Sequence, residues 1–247
     1  MTKVAVLGAY GKLGSAIVAG LEAADGIDLV ARLGSRDPLS RIVESGAEVV
    51  VDVTTPDAVM GNLEFAIGHG VHAVVGTTGF DEGRLEALRG LLESRPEVGV
   101  VIAPNFSIGA LLMMRFAALA APHFESVEIV ELHHPTKADA PSGTARRTAE
   151  LVGAARREAG LGPMPDATTT ALEGARGAEV DGVRVHSVRV RGLVAHQEVL
   201  LGGVGETLTL RHDSLDRAGF VPGVLAGIDG VRSNAGLTVG LEHFLGL

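Results

Sequence analysis

The sequence contains no cysteine. That single absence removes disulfides, thiolate nucleophiles and cysteine-based metal sites together, and it leaves the redox compartment unread. Location therefore rests on the start of the chain, where MTKVAVLGAYGKLG has neither the long apolar run nor the cleavage site of a secretion signal. No later stretch is apolar for long enough to cross a bilayer, so a cytoplasmic location is expected. Positive charge is also scarce. The 21 Lys and Arg stand against 30 Asp and Glu, and the formal net charge of -9 opposes binding to nucleic acid or anionic membranes. Internal repeats, low-complexity tracts and long linkers are absent too. What is there is a chain of 247 residues, 46% apolar, long enough for one large domain or two modest ones around a substantial core.

Short β-branched runs at Val4–Leu7, Leu29–Arg32, Val49–Val53, Val71–Val75 and Val98–Ile102 alternate with helical stretches such as Leu13–Ala23. They lack period-two alternation, as strands do when helices cover both faces of a parallel sheet. The fold class read from this is α/β: a doubly wound, Rossmann-type parallel sheet domain over residues 1–106, completed by 216–247. A second, α+β domain over 107–215 carries a mixed or antiparallel sheet. Its predicted elements are a helix at Ala110–Ala121, a strand through Val127, Ile129, Val130 and Leu132, and a helix from Thr144 to about Ala159. A loop at Leu161–Asp166 and strands at Val183–Val190, Val194–Leu201 and Glu206–Arg211 follow, with Gly202 and Gly203 helping to turn the last two into a hairpin. A closing helix is predicted from Leu215 to about Val231, with a short turn at Leu241–Leu245.

Between the first strand and first helix, Gly8, Ala9, Tyr10, Gly11, Lys12, Leu13 and Gly14 read GAYGKLG. Glycines there let backbone amides approach a pyrophosphate at a helix N-terminus, although the spacing is GxxGxxG rather than GxGxxG and a purely structural turn is the alternative. A carboxylate is expected near the end of the second strand to hold the adenosine ribose, yet Gly34 and Ser35 stand there. With Arg36 and Lys12 close by, a 2′-phosphate is accommodated and NADPH is favoured; a solvated arginine is the plain alternative. VVGTTGF and VIAPNF put Gly76, Thr77, Thr78, Ala103, Pro104, Asn105 and Phe106 just after apolar strands, at the edge where ligands lie in such sheets. There Thr77, Thr78 and Asn105 suit the nicotinamide amide or ribose, or else serve as caps and turn formers.

Chemistry is most concentrated in ELHHPTKADAPSGTA, Glu131 to Ala145. Neighbouring side chains on a strand point to opposite faces, so His133 and His134 take different jobs. A metal site is the weaker reading, because no HxxxH or suitably spaced acid accompanies them. His133 suits a general acid, and Lys137 supplies a positive charge or second donor. Ser142 reads as an N-cap, presenting with Gly143 and Thr144 the amides and hydroxyls of a helix start to a carboxylate. Asp139 and Pro141 shape the turn. The alternative is a capped surface turn with solvated basic residues.

These segments, together with RGLVAHQEVLLG from Arg191 and RHDSLDRAGF from Arg211, closely resemble the dihydrodipicolinate reductases of bacterial lysine and diaminopimelate synthesis, over nearly the whole chain. The resemblance implies that His133 is the proton donor and Lys137 the second catalytic donor, with His134, Ser142, Gly143 and Thr144 holding a small cyclic imine bearing two carboxylates. It further implies that Gly8–Leu13, Gly76–Thr78 and Ala103–Phe106 line a site for NADPH or NADH. A closing motion of the two domains and a homotetramer built through the second domain's sheet are implied as well. Two departures stand out: Thr136 occupies a position where the family often has a third histidine, and the acid favouring NADH is missing near Gly34. Competing readings are another dehydrogenase of aspartate-derived metabolites, with thioester chemistry excluded by the missing cysteine, and a non-catalytic NAD(P)H-sensing oligomer.

Overall fold

The apolar runs of the first hundred residues become strands that, apart from the edge strand over residues 27–33, are buried along most of their length, and that burial explains why they show no alternation. In the computed structural model, which describes residues 1–247, these are β1 (Thr2–Leu7), β2 (Ile27–Leu33), β3 (Val49–Asp52), β4 (His72–Val75) and β5 (Gly99–Ile102). Between them lie α1 (Lys12–Glu22), α2 (Ser40–Glu44), α3 (Val59–Gly68) and α4 (Glu82–Glu93). The chain separates into two units, Met1–Ile108 with Arg217–Leu247, and Gly109–Asp216.

In the first unit six parallel strands lie in the order β11-β5-β4-β3-β1-β2, the last in sequence being β11 (Gly236–Val239). Ala5, Val50, Ala73 and Val100 pack against Leu63 and Ile67 of α3 and Leu88 and Leu92 of α4. The alternate residues, including Val74, meet the other helical layer, formed by α1 and α7 (Val221–Ser233). Each fully buried Leu or Ile contributes about 1.5–3 kcal/mol relative to exposure. The strand order reverses beside β1, so the crevice at the carboxyl ends of β1 and β3 is the topological switch point. The anticipated closing helix starts later than Leu215. β10 (Glu206–Ser214) continues as far as the Ser214–Ala195 pair, a 3-10 turn spans Arg217–Phe220, and Pro222 in the first turn of α7 sets its start.

The second unit holds α5 (Ile108–Ala120) from its second residue on, β6 (Ser126–His133), α6 (Gly143–Glu158), β7 (Ala178–Val180), β8 (Val183–Arg189), β9 (Ala195–Gly203) and β10. Its sheet runs β10-β9-β6-β8-β7, with β6 and β8 parallel and the other pairs antiparallel. One face, carrying Val127, Ile129, Val185, Val199 and Leu201, packs under Ala145, Ala149 and Val152 of α6. Gly202 and Gly203 do not make the hairpin turn; they lie inside β9, and Gly203 pairs with Glu206. The turn is Val204–Gly205, where Gly205 takes φ +80°. A second two-residue turn, Asp181–Gly182, joins β7 to β8 with both residues at positive φ, the conformation an Asp-Gly pair favours.

Candidate functional site

Two groups of chemically capable residues emerge, one in each unit. In the first, the glycine loop follows β1 directly. Gly8 adopts φ +79°, and its amide and that of Ala9 donate to the Leu33 carbonyl at 2.9 and 3.1 Å, pinning the loop to the end of β2. A Cβ on Gly14 would lie 2.0 Å from the Gly8 carbonyl oxygen, so the loop backbone rests directly on α1. Gly11 caps α1 without a side-chain bond, and no acid stands in the first turn. The helix therefore presents its N-terminal amides and partial positive charge at the switch point, as a pyrophosphate requires. Lys12 begins α1 and is exposed, while Leu13 is half-buried.

No ribose acid stands at position 34, where the Tyr10 ring lies over the backbone. A Cβ on Gly34 would meet the Tyr10 ring at 2.9 Å, and Tyr10 itself is largely exposed across this edge. The nearest carboxylate, Asp37, accepts the Gly34 amide at 2.8 Å and the Arg41 guanidinium at 2.7 Å; the Gly34 bond chiefly holds it below the ordinary range. Arg36 is exposed in the same loop.

The segments after β4 and β5 complete this edge. Thr77 is buried and gives its hydroxyl proton to Asp52 at 3.0 Å, leaving its lone pairs and main chain for any ligand. Asp52, fully buried at the end of β3, also accepts the Thr54 amide and hydroxyl and the Asn62 amide. Such a carboxylate ties the loops after β3 and β4 together, a role that sequence reasoning passed over. Thr78 is exposed. Asn105 accepts the Ser107 amide at 2.8 Å, and the buried Ala103 donates to Val75. The buried Phe106 ring fills the space where a side chain on Gly76 would go. Pro104 is exposed beside them.

The second group lies where β6 ends. Period-two alternation puts Glu131 and His133 on one face, and His133 Nδ1 is 2.5 Å from Glu131 Oε2. The Glu131 side chain is wholly buried, and Arg189 binds it through both oxygens, each at 2.8 Å. The Ser142 amide adds a bond at 3.2 Å. Burial pushes the Glu131 carboxyl up, yet bonds from Arg189, Ser187 and His133 hold it below its ordinary value. Burial also holds the His133 imidazole below its ordinary value; the pull of Glu131 acts the other way, and Lys137 and Arg189 add to the lowering. Glu131 and Arg189 went unassigned in the sequence reading. The spacing of Glu131 from His133 was a usable signal, whereas Arg189 reaches the site only through the parallel pairing of β6 with β8.

His134 turns away from this cluster and bonds Thr136 Oγ1 at 2.8 Å. Lys137 lies in the loop, its Nζ 2.7 Å from Asp139 Oδ1, and the Asp139 carbonyl accepts from Arg189. Ser142 caps α6 through a bond from the Ala145 amide to its hydroxyl at 3.2 Å. Its hydroxyl and amide are thus both engaged within the protein, while Gly143 is exposed and Thr144 half-buried at the helix start. Loop, helix start and strand end therefore join a titratable imidazole, an ammonium group and helix amides, a set able to bind a carboxylate and deliver a proton. A cavity of about 670 Å³ elsewhere in the unit has no such set: Arg157, Arg176 and Arg184 on its wall are paired with Asp181, Glu128 and Glu179.

Residues 2–106 match the protein family described as dihydrodipicolinate reductase, N-terminus, and residues 109–245 match the family described as its C-terminus. The chain is 63% identical to a 4-hydroxy-tetrahydrodipicolinate reductase of Streptomyces avermitilis, over 99% of this chain and 98% of that protein. It is also 63% identical to one of Nocardia farcinica, over 99% of each. Among solved structures, a dipicolinate-bound dihydrodipicolinate reductase from Paenisporosarcina sp. TG-14 superposes with a TM-score of 0.88 at 39% identity, covering 98% of this chain and 99% of that one.

Proposed function

The chain belongs to the dihydrodipicolinate reductase family and has that family's NAD(P)H-dependent reductase role in lysine and diaminopimelate biosynthesis; from that premise we propose which of its residues carry the reaction. The substrate is 4-hydroxy-tetrahydrodipicolinate and the product tetrahydrodipicolinate. Gly8–Leu13, Gly76–Thr78 and Ala103–Phe106 would hold the reduced nicotinamide cofactor, which would supply a hydride to ring carbon C4 of the unsaturated ring formed as the 4-hydroxyl leaves as water. His133 then gives a proton to the deprotonated enamine that hydride addition leaves. Lys137, the Gly143 amide and Thr144 bind a substrate carboxylate, displacing Asp139 from Lys137, and His134 contributes on the neighbouring side. Arg36 and Lys12 receive a 2′-phosphate, which gives NADPH the advantage over NADH.

The observation that carries this reading is the junction of His133, Lys137 and the α6 start around one loop, with every donor suited to an anionic, proton-accepting ring. Assembly into a homotetramer through the second sheet is part of the same proposal. The face opposite α6 carries Val130, Leu132, Val188 and the exposed Leu200 interspersed with Glu128, Arg184, His186 and Glu198, a mixed surface on which a second copy would pair both apolar and charged groups. A cytoplasmic location belongs to the same proposal; no helix is long and apolar enough to cross a membrane. The test is oxidation of NADPH when aspartate semialdehyde, pyruvate and a dihydrodipicolinate synthase generate the substrate in place. Oxidation that depends on all three supports the reading, and none with the synthase demonstrably active overturns it.

A further inference from the structure

A wholly buried carboxylate is costly to keep ionised unless its charge is matched and its lone pairs are filled. Glu131 meets both conditions. Arg189 grips it through two bonds, the Ser142 amide takes a further lone pair of Oε1, and His133 Nδ1 approaches Oε2. Ionised, the carboxylate only accepts, so the proton between it and His133 belongs to Nδ1. The neutral imidazole is then held as the Nδ1–H tautomer with Nε2 turned away from the carboxylate. Arg189 is itself anchored, its Nη1 bonding the Val188 carbonyl and its Nη2 that of Asp139. The pair is thus fixed to β8 and to the loop that carries Lys137.

We propose that Glu131, held by Arg189, is a positioning residue for the reductase reaction: it fixes the ring plane and tautomer of His133 so that Nε2 is the atom that delivers the proton. The inference rests on the reading of His133 given above. In the step, the Nε2–H bond breaks and a C–H bond forms from the carbon–carbon π pair of the deprotonated enamine. The nitrogen pair restores the ring C=N bond, and the imidazolium becomes the neutral Nδ1–H ring that Glu131 already favours. The charged groups facing His133 are Glu131 on its own strand, Lys137 in the loop and Arg189 on β8, with Asp139 paired to Lys137. The Arg189 charge largely offsets that of Glu131, so the pair orients the ring without trapping it as a permanent cation.

Glu131→Gln tests the proposal, because an amide can donate to Nδ1 and stabilise the opposite tautomer. The variant is expected to lose about 10²-fold or more in kcat, with KM for NADPH and for the substrate within a few-fold of wild type. A second readout is independent of turnover: nitrogen-15 spectra of labelled histidine should show the neutral His133 ring protonated at Nδ1 in the wild type and shifted toward Nε2 in Glu131→Gln. Unchanged kcat in a folded variant, or a wild-type ring protonated at Nε2, overturns the inference. If Glu131→Gln fails to fold, the wild-type spectrum alone decides. His133→Gln separates the two levels. Loss of turnover there with Glu131→Gln unaffected sinks only the positioning role, whereas full activity in His133→Gln sinks the reading beneath it.

Discussion

Lys137 Nζ lies 2.7 Å from Asp139 Oδ1, and the same carboxylate accepts the Gly143 amide at the start of α6. Those are the groups assigned to a substrate carboxylate, so Asp139 stands where the ligand's own charge is to bind. Lys137 is the main cause of its lowered pKa. Because Asp139 is more than half exposed, the pair is solvent-screened and contributes only about 0.5–1 kcal/mol. Asp139→Asn should therefore lower the substrate KM by about two- to fivefold with kcat little changed. A raised KM in steady-state kinetics would show that Asp139 assists binding.

The pH dependence follows from the His133 environment. Burial lowers its pKa below the ordinary histidine value, and Lys137 and Arg189 reinforce this against the pull of Glu131. As a proton donor the ring must be charged, so kcat/KM, which reports the free enzyme, should fall as pH rises through a value below about 6.5. A bound dicarboxylate favours the imidazolium, so the corresponding limb in kcat should sit at higher pH. Paired pH profiles check this, and coincident limbs would count against substrate charge acting on His133.

Much of the first sheet was legible because β1, β3, β4 and β5 are short, continuous apolar runs followed by Gly or polar residues. The edge strand β11 was not, since GLTV gains its meaning only from pairing with β5. The Asp181–Gly182 turn carried a readable signal that went unused, and β7 was missed with it. Ser142 was legible as a cap from its place before a helical run, and the structure has that bond. At the proton-transfer cluster, the local half was written in the order of residues along β6. The other half was not, because Arg189 lies 58 residues from Glu131 and meets it only through strand register.

Arg36 supplies a test of cofactor choice. Gly34 itself carries no carboxylate, and the nearby Asp37 is engaged by the Gly34 amide and the Arg41 guanidinium. Arg36→Ala should weaken NADPH by about tenfold, roughly 1.4 kcal/mol, and NADH much less. Fluorescence titration with each cofactor measures the difference. Equal losses for both would remove Arg36 from phosphate recognition.

Glu131 also governs acid stability. Its folded pKa is lowered, so the stability it contributes is present above its unfolded value near 4.5 and is lost as pH falls through the folded value. His133, likewise lowered, contributes stability above about 6.5 that is lost as pH falls through its own folded value. Glu131→Gln leaves Arg189 without its counter-charge and should cost about 3 kcal/mol near neutrality. Between pH 5 and 3, its stability should change less than that of the wild type. Urea unfolding across that range measures both slopes, and parallel curves would contradict the assignment.

The central claim is that His133 delivers the proton, and steady-state turnover of His133→Gln on substrate made in place by the synthase tests it most directly. The expected result is a fall in kcat of about 10²–10⁴-fold with NADPH affinity retained. Turnover equal to wild type in the folded variant would contradict it.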